Sequence, residues 1–148
     1  MIIKKVSEVL EANKCDELLN KLILDERKYN DNIDSDFIVK DFYKNYIDNN
    51  KTNLLIAVEN SNIIGYIFTK IIEVESEKKS AKIDALYIEE DYRNKGIATK
   101  LIEKSINWIK DNSIDNITIN VMYQNEVAKK LYYKLGFENY SITLKNNI

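Results

Sequence analysis

Residues 93–98 read Arg-Asn-Lys-Gly-Ile-Ala, where a strand-like run passes into a helix with an apolar stripe. The chain has three glycines, and Gly96 stands here between the cations Arg93 and Lys95. A helix N-terminus carries unpaired N–H groups and the positive end of the helix dipole, so it attracts anions. Glycine lets an anion approach those amides closely, and Ala98 keeps the next turn small. By chemistry alone the hexamer is a cradle for a diphosphate. It is equally a helix start with a convenient glycine and a solvated charge run. Neither Gly-x-x-x-x-Gly-Lys-Ser/Thr nor Gly-x-Gly-x-x-Gly occurs, so P-loop and Rossmann nucleotide binding have no support.

Other chemistries are removed by composition. Histidine is absent, which excludes Ser-His-Asp and Cys-His mechanisms and the usual zinc sites; no metal is expected. The single cysteine, Cys15, sits beside Leu18 and Leu19 at helical spacing and reads as a small core residue. An unpaired cysteine fits a reducing, cytoplasmic setting. The formal net charge of -2 offers no basic stripe for nucleic acid and no field for an anionic membrane. No apolar run approaches the ~18 residues of a membrane helix, and a signal-peptide core is missing. With 148 residues, 45% of them hydrophobic, the chain is expected to form one soluble domain spanning 1–148. Nothing in the sequence decides between monomer and homodimer.

The elements that must position the hexamer follow from apolar periodicity. Residues 1–6 predict a strand, and Ser7 is placed to cap a helix carrying Val9, Leu10, Leu18, Leu19, Leu22 and Ile23. Residues 36–50 predict a second helix with Phe37, Ile38, Phe42 and Tyr46 inward. Runs 53–59 and 63–75 predict an antiparallel hairpin, and 81–88 the next strand. A helix from about residue 95 to 111 follows, then a strand at 116–122. A last helix, 125–135, is stopped by Gly136, and a final strand is expected at 137–144. The unit 81–122 should be a right-handed parallel crossover. The expected class is a mixed α/β domain.

The stretch from Ile83 to Ile109 resembles the central motif of the GCN5-related N-acetyltransferase (GNAT) superfamily. There a strand leads into Arg/Gln-x-x-Gly-x-Gly/Ala, which opens a long helix; Arg93, Gly96 and Ala98 match. Downstream, 125–137 is similar to the family pattern Asn-x-x-Ala-x-x-x-Tyr-x-x-x-Gly-Phe at Asn125, Ala128, Tyr132, Gly136 and Phe137. Gly65 falls where these proteins often carry a glycine. The chain departs from the family at Glu90, where proline is common, and in having alanine at position 98. The resemblance covers about residues 53–140.

That resemblance implies a mostly antiparallel central sheet with one parallel β-α-β crossover and helices on both faces. It implies an acetyl-CoA-dependent N-acetyltransferase, passing the acetyl group to a primary amine by direct attack in a ternary complex. The acceptor is a small-molecule or a protein amine. The alternative is a non-catalytic module that binds coenzyme A or a partner protein. By analogy Arg93, Asn94, Lys95, Gly96, Ile97, Ala98 and Thr99 hold the diphosphate. The backbone of Leu86, Tyr87 and Ile88 pairs with the pantetheine arm, and an N–H near Ile88 polarises the thioester carbonyl. Asn125, Ala128 and Tyr132 border the cofactor, Asn125 also being a natural N-cap. Tyr132 is the expected proton donor to the departing thiolate, from an ordinary phenol value of about 10; its other reading is a core aromatic. Asp84, taken to share a face with Leu86 and Ile88, is the candidate base for the amine, or else a structural carboxylate. Acidic residues between Asp25 and Asp36 form either a rim attracting cationic acceptors or a plain polar connector.

Overall fold

A computed structural model describes residues 1–148. Five strands form one sheet in the order β1-β2-β3-β4-β5: β1 (Ile2–Lys5), β2 (Thr52–Glu59), β3 (Asn62–Ile72), β4 (Ser80–Ile88) and β5 (Ile117–Ile119). The first four pair antiparallel in sequence, while β4 and β5 run parallel. The β2–β3 hairpin turns through Asn60 and Ser61, both at positive φ, which matches the right-handed twist of the flanking strands. Helix α1 (Val9–Glu26) covers one face, α2 (Ile97–Asp111) covers the other, and α3 (Glu126–Lys134) follows β5. Mixed strands with helices on both faces match the class expected from sequence.

Two cores result. Between α1 and the sheet lie Ala12, Cys15, Leu18, Leu54, Ile56, Tyr66, Phe68, Ala85 and Tyr87. Cys15 is fully buried, and burial pushes its thiol well above the ordinary range, so it is an inert core residue. Between α2 and the sheet lie Leu55, Ile64, Ile67, Ile83, Ile88, Leu101 and Ile102. In α2 the buried positions 97, 101, 102, 105 and 109 follow the 3.6-residue period.

Three local expectations are corrected. Ser7 does not cap α1: Glu8 is the N-cap, in a reciprocal capping box with Glu11, whose carboxylate also accepts the Ser7 N–H at 3.0 Å. The helix expected over 36–50 shrinks to one 3-10 turn, Tyr43–Tyr46. Phe37 and Ile38, expected inward, are 53% and 75% exposed. The reason is that α1 supplies the hydrogen bonds a helix would have made. Asp16 accepts from the amides of Phe42 and Tyr43 at 3.2 and 3.0 Å. Asn20 bonds both backbone groups of Val39, at 2.7 and 2.9 Å. Asp41 then adopts a φ of 56°, which no helix tolerates. Tyr43 consequently plunges into the core, where its hydroxyl meets that of Tyr66 at 2.9 Å. Finally, residues 137–144 form no strand, because no sheet edge of the same chain pairs with them.

Candidate active site

The hexamer lies between β4 and α2, after a short 3-10 turn at Glu90–Tyr92, and runs into the start of α2. Gly96 is the N-cap of α2 at φ 79°, and it brings no side-chain cap. The first bond within the helix runs from the Lys100 N–H to the Gly96 carbonyl at 3.1 Å. The amides of Ile97, Ala98 and Thr99 precede it and have no carbonyl to bond. Asn94 is also at positive φ, 62°, so Lys95 sits between two left-handed residues, a backbone pattern suited to an anion-binding concavity. A Cβ on Gly96 would meet no atom of the chain within 4 Å. What it would obstruct is approach to the amides, and the left-handed φ alone would cost an L-residue roughly 1–2 kcal/mol.

Arg93 does not point its charge into this cradle. Its Nε donates to the Ile88 carbonyl at 2.8 Å, one terminal nitrogen lies 3.3 Å from Asp25, and the guanidinium stands 5.1 Å from the Tyr87 ring centre. It ties the end of β4 to α1. A second ion pair does the same, with Lys21 reaching Glu89 at 2.8 Å. Arg93 is therefore a positioning residue for the loop, and Lys95, held over the Tyr92 ring at 5.3 Å, is the cation left beside the amides.

The pairing of β4 with β5 is short and leaves a gap beside the end of β4. Parallel pairing of β4 with β5 ends at Ile83↔Ile119, while β4 continues to Ile88. The Glu89 N–H bonds the Ile64 carbonyl at 2.8 Å. In an antiparallel ladder this fixes the parity: Tyr87 also faces β3, and Leu86 and Ile88 turn their backbone groups toward the gap. Since Arg93 occupies the Ile88 carbonyl, the open groups are the two N–H groups and the Leu86 carbonyl. Tyr87, expected to pair with a cofactor arm, has its backbone committed to Tyr66 instead. Gly65 is required behind this edge, because a Cβ there would lie 2.7 Å from Ile88 Cδ1 and 2.9 Å from the Tyr87 carbonyl oxygen.

Asp84 is not on the face assigned to it. The β3–β4 register shifts between Phe68 and Thr69, pairing them with Ala85 and Ile83, so Asp84 is the bulged residue. Leu86 and Ile88 pack on the α2 side. Asp84 instead pairs with Lys70 at 3.4 Å, and that ammonium stands over the Phe68 ring of the α1-side core. There Asp84 acts on Glu26, the last residue of α1. Burial among neighbours, and then the Asp84 charge, raise the Glu26 carboxyl above its ordinary value, although part of the side chain still meets solvent. Glu26 in turn acts on Tyr132. Burial first, and Glu26 second, push the Tyr132 phenol up to about 12. Tyr132 is half-buried on the α2-side core, its ring 5.9 Å from that of Phe137. Glu26 thus stands within electrostatic reach of both Asp84 and Tyr132.

The sequence reading placed Glu26 only within an acidic run. Its signal was its spacing after Ile23, but the closing loop that gives it a role is not periodic. That loop and α1 border an open, solvent-facing pocket of about 430 Å³, lined by Ile23, Glu26, Asn30, Ile33, Asp34 and Phe37 among others. At the far side Asn125 is the N-cap of α3, its Oδ1 accepting the Ala128 N–H at 3.2 Å. Its side-chain oxygen is thereby used within the chain. No cluster of residues suited to a metal ion is present, and no helix is long and apolar enough to cross a membrane.

These features can be set beside known proteins. Residues 16–137 match the model of the Acetyltransferase (GNAT) family. The chain belongs to that family. A curated relative, an N-alpha-acetyltransferase of Saccharolobus solfataricus, is 30% identical over 95 residues, covering 59% of this chain and 57% of the relative. The chain thus spans little more than half the length of that relative. Among solved structures, a variant of the BH1408 protein of Bacillus halodurans superposes with a TM-score of 0.87 at 20% identity, over 100% of this chain and 99% of the other. AAC(6')-Iy, solved with a bisubstrate analogue joining coenzyme A to monomethyl-acetylneamine, gives 0.78 at 14% identity, over 99% and 97%. At those identities the two structures establish a shared GNAT fold.

Proposed function

We propose that this GNAT protein transfers an acetyl group from acetyl-CoA to a primary amine, by direct attack with both substrates bound. The observation that carries the reading is the uncapped start of α2, three helix amides and a left-handed glycine beside the open edge of β4. These groups fit the coenzyme: the amides of residues 94–99 suit its diphosphate, and the N–H and C=O of Leu86 suit the amides of its pantetheine arm. Bound there, the coenzyme supplies the activated acetyl thioester. The Ile88 N–H then faces the gap as an electrophilic donor to the carbonyl oxygen.

Tyr132 remains neutral throughout the working pH range, because its phenol is held near 12. It donates a hydrogen bond to the departing sulfur and does not act as a base. Glu26 takes the role first assigned to Asp84. Its raised proton affinity suits removal of a proton from the incoming amine, and Asp84 supplies the fixed charge that raises it. A carboxylate base matches an α-amino group, with an ordinary value of about 8, better than a lysine amine of about 10.4. This favours a peptide N-terminus as acceptor, in keeping with the N-alpha-acetyltransferase relative. The acidic, partly apolar cavity beside Glu26 suits a cationic amine with an apolar neighbour.

Calorimetric titration with coenzyme A and acetyl-CoA tests the first half. Absence of binding at millimolar coenzyme would remove the reading. Thiol release measured over peptides, polyamines and aminoglycosides tests the second half. Turnover confined to peptides with free N-termini is the expected pattern, and preference for aminoglycosides would overturn the acceptor assignment.

A further inference from the structure

From Asp115 to the C-terminus no residue is fully buried, and α3 meets the α2-side core only through partly buried side chains such as Tyr132. Yet this quarter of the chain is rich in large apolar side chains. Tyr123 and Val127 are 85% and 81% exposed, and Tyr140, Ile142 and Leu144 are 89%, 84% and 89% exposed. The last three alternate with Ser141 and Thr143, the period-2 pattern of a strand with one apolar face. Residues 138–148 make no backbone hydrogen bond. The tail therefore has the sequence of a strand and no sheet to join.

Its two polar ties lie away from β5. The Tyr133 hydroxyl donates to Asn139 Oδ1 at 2.7 Å near the root, and Lys145 pairs with Asp31 near the tip. The second tie is a solvent-exposed ion pair and contributes little. Meanwhile β5 pairs only with β4, so its outer edge is an open row of N–H and C=O groups. One chain thus carries both an unpaired strand and an unpaired edge, and it brings the two together nowhere.

A second copy related by a two-fold axis satisfies both at once, because such an interface is self-complementary. We propose that the protein is a two-fold dimer in which residues 139–146 of each copy add a strand to the open edge of β5 in the other. The area is sufficient. Three large apolar side chains amount to roughly 400–500 Å² per tail, so two tails and the surfaces they cover remove roughly 1,600–2,000 Å², the size of a stable specific interface. The exchange extends the sheet beyond β5, on the side away from β4. It does not depend on the acetyl-transfer reading, and the measurement needs no coenzyme.

Sedimentation equilibrium without ligand, at tens of micromolar protein, is expected to give twice the chain mass of 17.4 kDa. Hydrogen exchange read by mass spectrometry should show protected amides in 139–146 and 117–121. The double variant Ile142→Asp/Leu144→Asp should sediment as one chain and lose that protection. A chain ended after Glu138 should do the same, and it guards against a variant that fails to fold. A single-chain mass for the wild type overturns the proposal. So does a dimer whose tail exchanges freely, or one that survives both changes.

Discussion

Helices α2 and α3 both follow strands bordering the gap, and they begin in opposite ways. At α3, Asn125 turns its side chain back onto the Ala128 amide, so the helix meets its own needs. At α2, Gly96 has no side chain to offer, and three amides stay open. The other long helix, α1, also closes its own start, through Glu8 and Glu11. A helix that serves only the fold satisfies its first turn internally, at about 1 kcal/mol of stability. One that leaves it open forgoes that gain, which fits the diphosphate role proposed for these amides beside the gap.

The contrast breaks most severely if a negative charge is put at the open end. Gly96→Asp sets a carboxylate against the diphosphate and forces an L-residue into a left-handed φ. Coenzyme A affinity should fall by at least about 100-fold, since losing charge-assisted contacts costs on the order of 3 kcal/mol. Circular dichroism should show the fold retained. Affinity within threefold of wild type, by calorimetry, would mean the amides are not the anion site.

Next in size is Tyr132→Phe. The ring keeps its packing on Phe137 and loses only the hydroxyl. Turnover should drop roughly 10²- to 10³-fold, the usual worth of a positioned proton donor. Coenzyme affinity should stay put, in contrast to Gly96→Asp. Equal losses in both would place Tyr132 in binding instead of chemistry.

The same contrast explains what could be read from sequence. The open helix start was legible because its chemistry belongs to backbone and to one glycine, both of which survive as a short motif. The strand order through β2, β3 and β4 was legible from period alone. Three features were not. The segment 36–50 carries a helical spacing of aromatics, but the hydrogen bonds that decide its shape come from Asp16 and Asn20, some twenty residues earlier. Asp84 was put on the wrong face because one bulge at Phe68/Thr69 shifts the two-residue period, and periodicity cannot show a bulge. The tail at 137–144 does carry a strand pattern, but no edge within the same chain receives it.

A smaller change sharpens the comparison from the capped side. Asn125→Ala removes the α3 cap, which should cost about 1 kcal/mol and lower the melting temperature by about 2–4 °C. Coenzyme affinity should move by less than about threefold, because the Asn125 oxygen already serves Ala128. A loss matching that of Gly96→Asp would show that both helix starts hold the ligand.

The smallest effect concerns Glu26, and its sign is the informative part. A carboxyl whose folded value lies above its ordinary 4.5 binds its proton more tightly in the folded chain. Its ionisation then opposes folding. Well below pH 4.5 the group is protonated in both states and contributes nothing. As pH climbs through 4.5 and on through the raised folded value the opposing contribution grows, and above that it is complete. Glu26→Gln removes it, so the variant should melt slightly higher than wild type near pH 7 and match it in acid. The same substitution should lower turnover and erase the acid limb of its pH profile, while Asp84→Asn should keep that limb and move it downward. A Glu26→Gln enzyme that melts lower at neutral pH would mean the carboxylate is stabilised where it stands, and so is not poised to accept a proton from an amine.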